Sequence, residues 1–166
     1  MNGRTVFLDA SFFLGMHAAD PAHRRRSLAY FTRHLADRPR MTYEQIGICD
    51  AVIWGQDRHT QDLYYPFMDR LHTDMAIQRG GYTYSEIRAA LEHHDLIQLP
   101  PETALLAAQV LYHEALLATH DRALLALPSL QGRIIDLGQN AEPVEFPEPL
   151  RTLYDESTVF VYDEQH

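Results

Sequence analysis

Two apolar runs in this chain end in aspartate: Val6-Phe-Leu-Asp9 and Leu117-Ala-Thr-His-Asp121. If both are strands of a parallel sheet, their carboxylates meet at the carboxyl edge, where open α/β sheets place their sites. Carboxylates gathered at one point repel one another and lose hydration, so such a cluster ordinarily holds a hard divalent cation through oxygen ligands. Taken singly, each aspartate equally suits the cap of a following helix or turn. Helix geometry adds a third acid. Ile46, Asp50, Ile53 and Trp54 fall at i, i+4, i+7 and i+8, a single stripe, which places Asp50 on an apolar face. A carboxylate there needs a partner or an ion.

The elements that would position these groups follow from local signals. Thr5-Val-Phe-Leu8 is a short β-prone run, and Phe12 to Met16 starts a helix or turn. Ala22 to Ala36 reads as a helix with Leu28, Phe31 and Leu35 at helical spacing. Thr42-Tyr-Glu-Gln45 and Thr83-Tyr-Ser-Glu86 both match the capping box, opening helices over 43–54 and through Leu91. Leu63, Phe67, Leu71 and Met75 mark a further amphipathic helix ending before Gly80-Gly81, and Pro100-Pro101 precedes an apolar helix from Glu102 to about His113. Ala115–Ala118, Ile134–Leu137 and Thr158–Tyr162 are strand candidates. The segment with Pro143, Pro147 and Pro149 is expected to be an extended surface connection. Alternating strands and helices predict a three-layer α/β/α domain with a mostly parallel central sheet.

Length and charge narrow the classes. A chain of 166 residues with 46% hydrophobic residues supports one domain with one substantial core. The division expected is an α/β body over residues 1–137 and an acidic extension over 138–166, ending in a strand and belonging to the same domain. With no apolar stretch of about 18 residues and no signal-peptide pattern at its start, the sequence reads as soluble and cytoplasmic. Cys49, the single cysteine, can form no internal disulfide and lies on an apolar helix face, as a core thiol does. The net charge of −9 opposes phosphate binding, but the eight acids against one arginine from Asp136 to His166 account for −7 of it. All 14 basic residues are Arg, and Arg24, Arg25 and Arg26 begin a cluster reaching Arg40, able to pair with phosphates if it is not merely a solvated helix face. The acidic extension could mimic phosphate and cover those arginines.

Taken in order, Asp9-Ala-Ser11 after a strand, a helical acid near position 50, and Thr103-Ala-Leu-Leu-Ala-Ala-Gln-Val110 leading into Leu116-Leu-Ala-Thr-His-Asp121 resemble the PIN-domain nuclease family, over Thr5 to Leu137. The resemblance implies that Asp9 and Asp121 bind Mg²⁺ or Mn²⁺, that Asp50 is the acid of the third helix, and that Ser11 and Thr119 support them. It implies a metal-dependent ribonuclease in which Asp9, Asp50 and Asp121 serve the hydrolysis of RNA. Thr103 departs from the pattern, which usually has a metal-binding aspartate there. Glu102 is the adjacent acid, but one residue turns a side chain by about 100° around a helix. The alternative is a degenerate relative that binds RNA or a protein without cutting. The resemblance further implies a homodimer, with the 63–75 helix as the candidate interface, and an antitoxin as a partner of some relatives.

Other features carry less. None of the ten histidines forms a zinc-ligand pattern. His93-His94-Asp95 reads as the exposed end of a helix, and Gly80-Gly81 as a turn. Tyr64, Tyr65 and Phe67 suit a core or an oligomer surface better than a base-stacking platform.

Overall fold

The computed structural model describes residues 3–164. Four strands, β1 (Val6–Leu8), β2 (Arg40–Thr42), β3 (Gln78–Gly80) and β4 (Leu116–Ala118), pair entirely in parallel in the order β3-β2-β1-β4. Around them run α1 (Ala10–Leu14), α2 (Pro21–Arg33), α3 (Tyr43–Trp54), α4 (Arg58–Asp74), α5 (Tyr84–Glu92), α6 (Pro101–Tyr112), α7 (Arg122–Ala126) and α8 (Leu150–Ser157). The architecture is the three-layer α/β/α arrangement expected.

The layers follow from strand alternation. Val6 and Leu8 of β1 join Met41 and Ala118 in a core with α1 to α4 and α8, whereas Phe7 and Leu117 point the other way, into a core with α5 to α7. Both sheet faces are therefore covered, as all-parallel sheets require. The register pairs Val6 with Leu116, Phe7 with Leu117 and Leu8 with Ala118, which sets Asp9 level with Thr119 at the carboxyl edge. Among the described residues, no helix is long and apolar enough to cross a membrane.

Three expectations need correction. Ile134–Leu137 and Thr158–Tyr162 each contribute one parallel bridge, Leu117 to Ile134 and Ala18 to Tyr162, instead of strands. The proline-rich connection contains α8, and the segment after residue 138 supplies Phe146, Leu150 and Phe160 to the core beside Tyr64 and Phe67 of α4. Its prolines hid a helix because Pro149 stands at the helix start, where a missing N–H costs nothing. For the same reason the apolar face of α4 is not left for a second copy of the chain. Tyr64, Phe67 and Leu71 on it are fully buried within one molecule.

Candidate functional site

At the end of β1 the Asp9 side chain turns into the sheet edge with only 4% of its surface exposed. Its Oδ1 accepts from Ser11 Oγ at 2.7 Å and from Phe12 N at 2.9 Å, capping α1, while Oδ2 accepts from Thr119 Oγ1. Those hydroxyls are themselves acceptors. Ser11 Oγ receives His120 N at 2.9 Å, and Thr119 Oγ1 receives Asp121 N at 2.9 Å. One carboxylate thus ties the turn after β1 to the turn after β4. Asp121 in turn caps α7, its Oδ1 accepting Ala123 N at 2.8 Å and Leu124 N at 3.1 Å. Both aspartates act as helix caps and also face a common cleft.

That cleft, about 190 Å³, is lined by Asp9, Gln45, Glu102, Thr103, Asp121 and Tyr162 among others. The structure therefore brings Asp9, Glu102 and Asp121 together, with Ser11 and Thr119 behind them. Asp50 is not among them. It accepts a long hydrogen bond from Tyr65 Oη at 3.4 Å, on the side of α3 that meets α4. The buried stripe of α3 runs through Gln45, Cys49 and Ile53, one position from the stripe through Asp50, and Trp54 is 69% exposed.

Gln45 is the residue sequence reasoning missed. Its backbone N–H donates to Thr42 Oγ1 at 3.2 Å, as a capping box requires, but its side chain leaves the box and Oε1 accepts Ala10 N at 2.8 Å. The capping-box pattern explained Gln45 locally and so concealed that it faces the site. The spacing Gln45, Cys49, Ile53 was the available signal.

Burial pushes the Asp9 carboxyl up to about 6; its hydroxyl and amide donors oppose this, and the charge of Asp121 adds to it. The cleft around this acid is lined from α3 by the neutral Gln45 and from α6 by Thr103 together with the acidic Glu102. Among the described residues, no three His, Cys, Asp or Glu side chains are grouped to hold a metal ion. Mg²⁺ wants octahedral oxygen ligation that includes carboxylates free to turn toward it. Here Asp9 already satisfies three donors and Asp121 caps a helix with one oxygen.

The arginines of α2 are engaged within the chain. Arg24 Nη1 donates to Ala18 O and Arg26 Nη2 to Ile135 O, both at 2.8 Å, while Arg25 reaches the Glu142 carboxylate at 3.9 Å and Arg33 the Glu142 carbonyl. Arg24 and Arg26 work as struts between α2 and the chain around it, in place of a phosphate-reading row. Arg25 and Arg33 are exposed, and Arg24 and Arg26 are half-buried.

Beside the cleft a larger cavity of about 910 Å³ is lined by Ser11, Asp20, His23, His120, Asp121 and Glu164, among others. His120 stacks between Phe12, at 4.9 Å, and His23, at 4.3 Å, and its Nε2 lies 2.8 Å from Ser27 Oγ. A methyl group at Gly15 would collide with both Ser27 and His120, so this packing demands glycine.

Burial lowers the pKa of three histidines, His120 and His72 to about 4 and His17 to about 3. Their neutral forms stabilise the fold fully above pH 6.5, and this is lost as pH falls toward those values, because the unfolded chain takes up protons that the folded chain refuses. Asp9, raised from 3.8 to about 6, runs the other way: its contribution is complete below 3.8 and lost as pH rises through 6. Between pH 7 and 5 each histidine costs roughly 2 kcal/mol while Asp9 returns about 1. Urea denaturation should therefore show a lower midpoint at pH 5 than at pH 7; an unchanged or higher midpoint would mean that these imidazoles are not buried neutral.

A model for a family of unknown function (DUF6190) matches the chain over residues 1–166, and the chain belongs to that family. No match was found among curated proteins. Among solved structures, the chain is similar to the crystal structure of PAE2754 from Pyrobaculum aerophilum, with a TM-score of 0.55, 15% identity, and coverage of 95% of this chain and 91% of that one. At that identity the likeness speaks for the fold alone.

Proposed function

We propose that this member of the DUF6190 family is a PIN-like domain that has given up cation-dependent cleavage and binds a positively charged segment of a partner protein. The observation that carries the reading is that two neutral residues, Gln45 and Thr103, share the lining of the cleft with Asp9 and Asp121. Electrostatics choose the class of partner. Asp20, Asp121 and Glu164 rim the larger cavity, the chain carries −9 overall, and Arg24 and Arg26 are committed to carbonyls. RNA would meet that rim at a Coulombic disadvantage, whereas a basic segment is attracted.

A second reading, the metal-dependent ribonuclease, is favoured by one observation: Asp9, Glu102 and Asp121 line the same cleft. One experiment separates the two. A labelled single-stranded RNA and a labelled Arg-rich peptide are each titrated with the protein at low salt, with Mn²⁺ present, and RNA length is followed on a gel. The peptide should bind more tightly than the RNA, and the RNA should stay intact. RNA cut by the parent protein but not by Asp121→Asn would establish the nuclease and overturn the binding module; asparagine caps a helix as aspartate does, so that variant keeps its fold. Tighter binding of RNA than of peptide would overturn the choice of partner.

A further inference from the structure

The exposed residues of α3 are Tyr43, Gly47, Ile48, Ala51 and Trp54, and none of them carries a charge. Tyr43 and Trp54, at its two ends, are 63% and 69% exposed. The polar side chains of the helix make their hydrogen bonds within the chain instead. Gln45 Oε1 accepts from Ala10 N, Glu44 Oε1 from Tyr82 Oη at 3.0 Å, and Asp50 Oδ1 from Tyr65 Oη at 3.4 Å. A surface helix ordinarily does the reverse, as α4 does by exposing Arg58, Asp62, Asp69 and Arg70. Tyr43, Gly47 and Ala51 stand one helical turn apart in a row, and Trp54 lies beside its far end. Packing within the molecule gives Gly47 no reason to be glycine: a methyl group there would meet nothing within 4 Å, and glycine inside a helix is less stable than alanine. Small residues in the middle of the row let the axis of a second helix approach to roughly 8 Å.

What borders this apolar face is acidic. Asp50 lies along its α4 side, and Glu44 stands in the first turn of the helix. On the other side Ile48 lines the Asp9 cleft together with Glu102 and Asp121. Arg58, just past the end of α3, is paired with Asp62 at 2.8 Å. Two copies of the chain set face to face would bring these acids against their own counterparts, with each molecule at −9. A helix whose apolar stripe is flanked by Lys or Arg satisfies both the apolar face and its acidic border.

We propose that α3 is the docking surface for an amphipathic basic helix of a partner protein. The inference rests on the reading that the partner is positively charged, and it gives that segment its form and its seat. Trp54 is the only tryptophan in the chain, so its emission reports on this face alone. The full chain is titrated with a Leu/Lys peptide of about five helical turns, patterned to be amphipathic, that contains no tryptophan. The comparison peptides are a scramble of the same composition and a Leu/Glu counterpart. The amphipathic basic peptide should bind tenfold or more tightly than either, and should move the Trp54 emission to shorter wavelength. Ala51→Arg, at an exposed position that suits a helix-forming side chain, should weaken that binding at least tenfold. Scrambled and amphipathic basic peptides binding equally well, with Trp54 emission unmoved, would overturn the inference and leave the acidic cleft as the seat of a basic segment. Binding of neither would overturn both readings. Equal binding of the Leu/Glu peptide, or affinity unchanged in Ala51→Arg, would also overturn the inference. So would a parent chain that sediments as a dimer and that Ala51→Arg turns into monomers, since a second copy would then cover α3.

Discussion

Replacing Gln45 by Glu and Thr103 by Asp together should raise the affinity of the cleft for Mn²⁺ by two orders of magnitude or more over the parent chain. Gln45 already presents Oε1 to Ala10 N at 2.8 Å, and glutamate keeps that acceptor while adding a charge. Thr103 is the third residue of α6, where an aspartate is favoured by the positive end of the helix dipole. Both changes are thus tolerated by the local structure that supports them. With Asp9, Glu102 and Asp121 they would put five carboxylates around one cleft, and their mutual repulsion would be relieved only by a cation. Mn²⁺ should accordingly raise the urea midpoint of the double variant and leave that of the parent where it is, since a ligand stabilises only the state that binds it. A double variant that folds and still ignores Mn²⁺ would show that the cleft is unsuited for a reason other than Gln45 and Thr103.

Ending the chain at Leu137 should abolish the cooperative fold and release no hidden nucleic-acid surface. Phe146, Leu150 and Phe160 are at most 5% exposed. At about 2 kcal/mol for each fully buried large side chain, their loss alone approaches the 5–15 kcal/mol that holds an ordinary domain together. The face they leave, Tyr64, Phe67 and Leu71 of α4, would then meet water as an apolar patch of the kind that drives association. Near-UV circular dichroism and urea titration of the truncated chain should show lost tertiary signal and no sharp transition. A truncated chain that unfolds cooperatively, or that binds RNA more tightly than the parent, would contradict the assignment of residues 138–164 to the core.

What could be read from the sequence depended on whether a residue's role was local. The strand-ending aspartates, the Thr42 and Thr83 caps and the layer order all arise from neighbours in the chain, and each appears where composition and spacing put it. Gln45 and Glu86 were harder, for the same reason in both cases: each stands three residues after a threonine cap, and each sends its side chain elsewhere, to Ala10 and to His113. A local explanation that was complete by itself obscured a tertiary one. The Asp50 stripe was displaced by one position because Ile46 and Trp54 are apolar residues that the fold does not fully bury. The arginine cluster looked like a phosphate surface because nothing in the sequence tells which guanidinium groups will meet the carbonyls of Ala18 and Ile135. Strands β2 and β3, three residues each, are too short and too polar to carry a periodic signal, and are held by their neighbours in the sheet.

The central claim is that the Asp9 cleft of the natural chain, with its two neutral positions, is not a cation site. Calorimetric titration of Mn²⁺ into the parent protein at pH 7 tests it most directly. The account predicts no saturable heat. A stoichiometric isotherm that disappears in Asp9→Asn would contradict it.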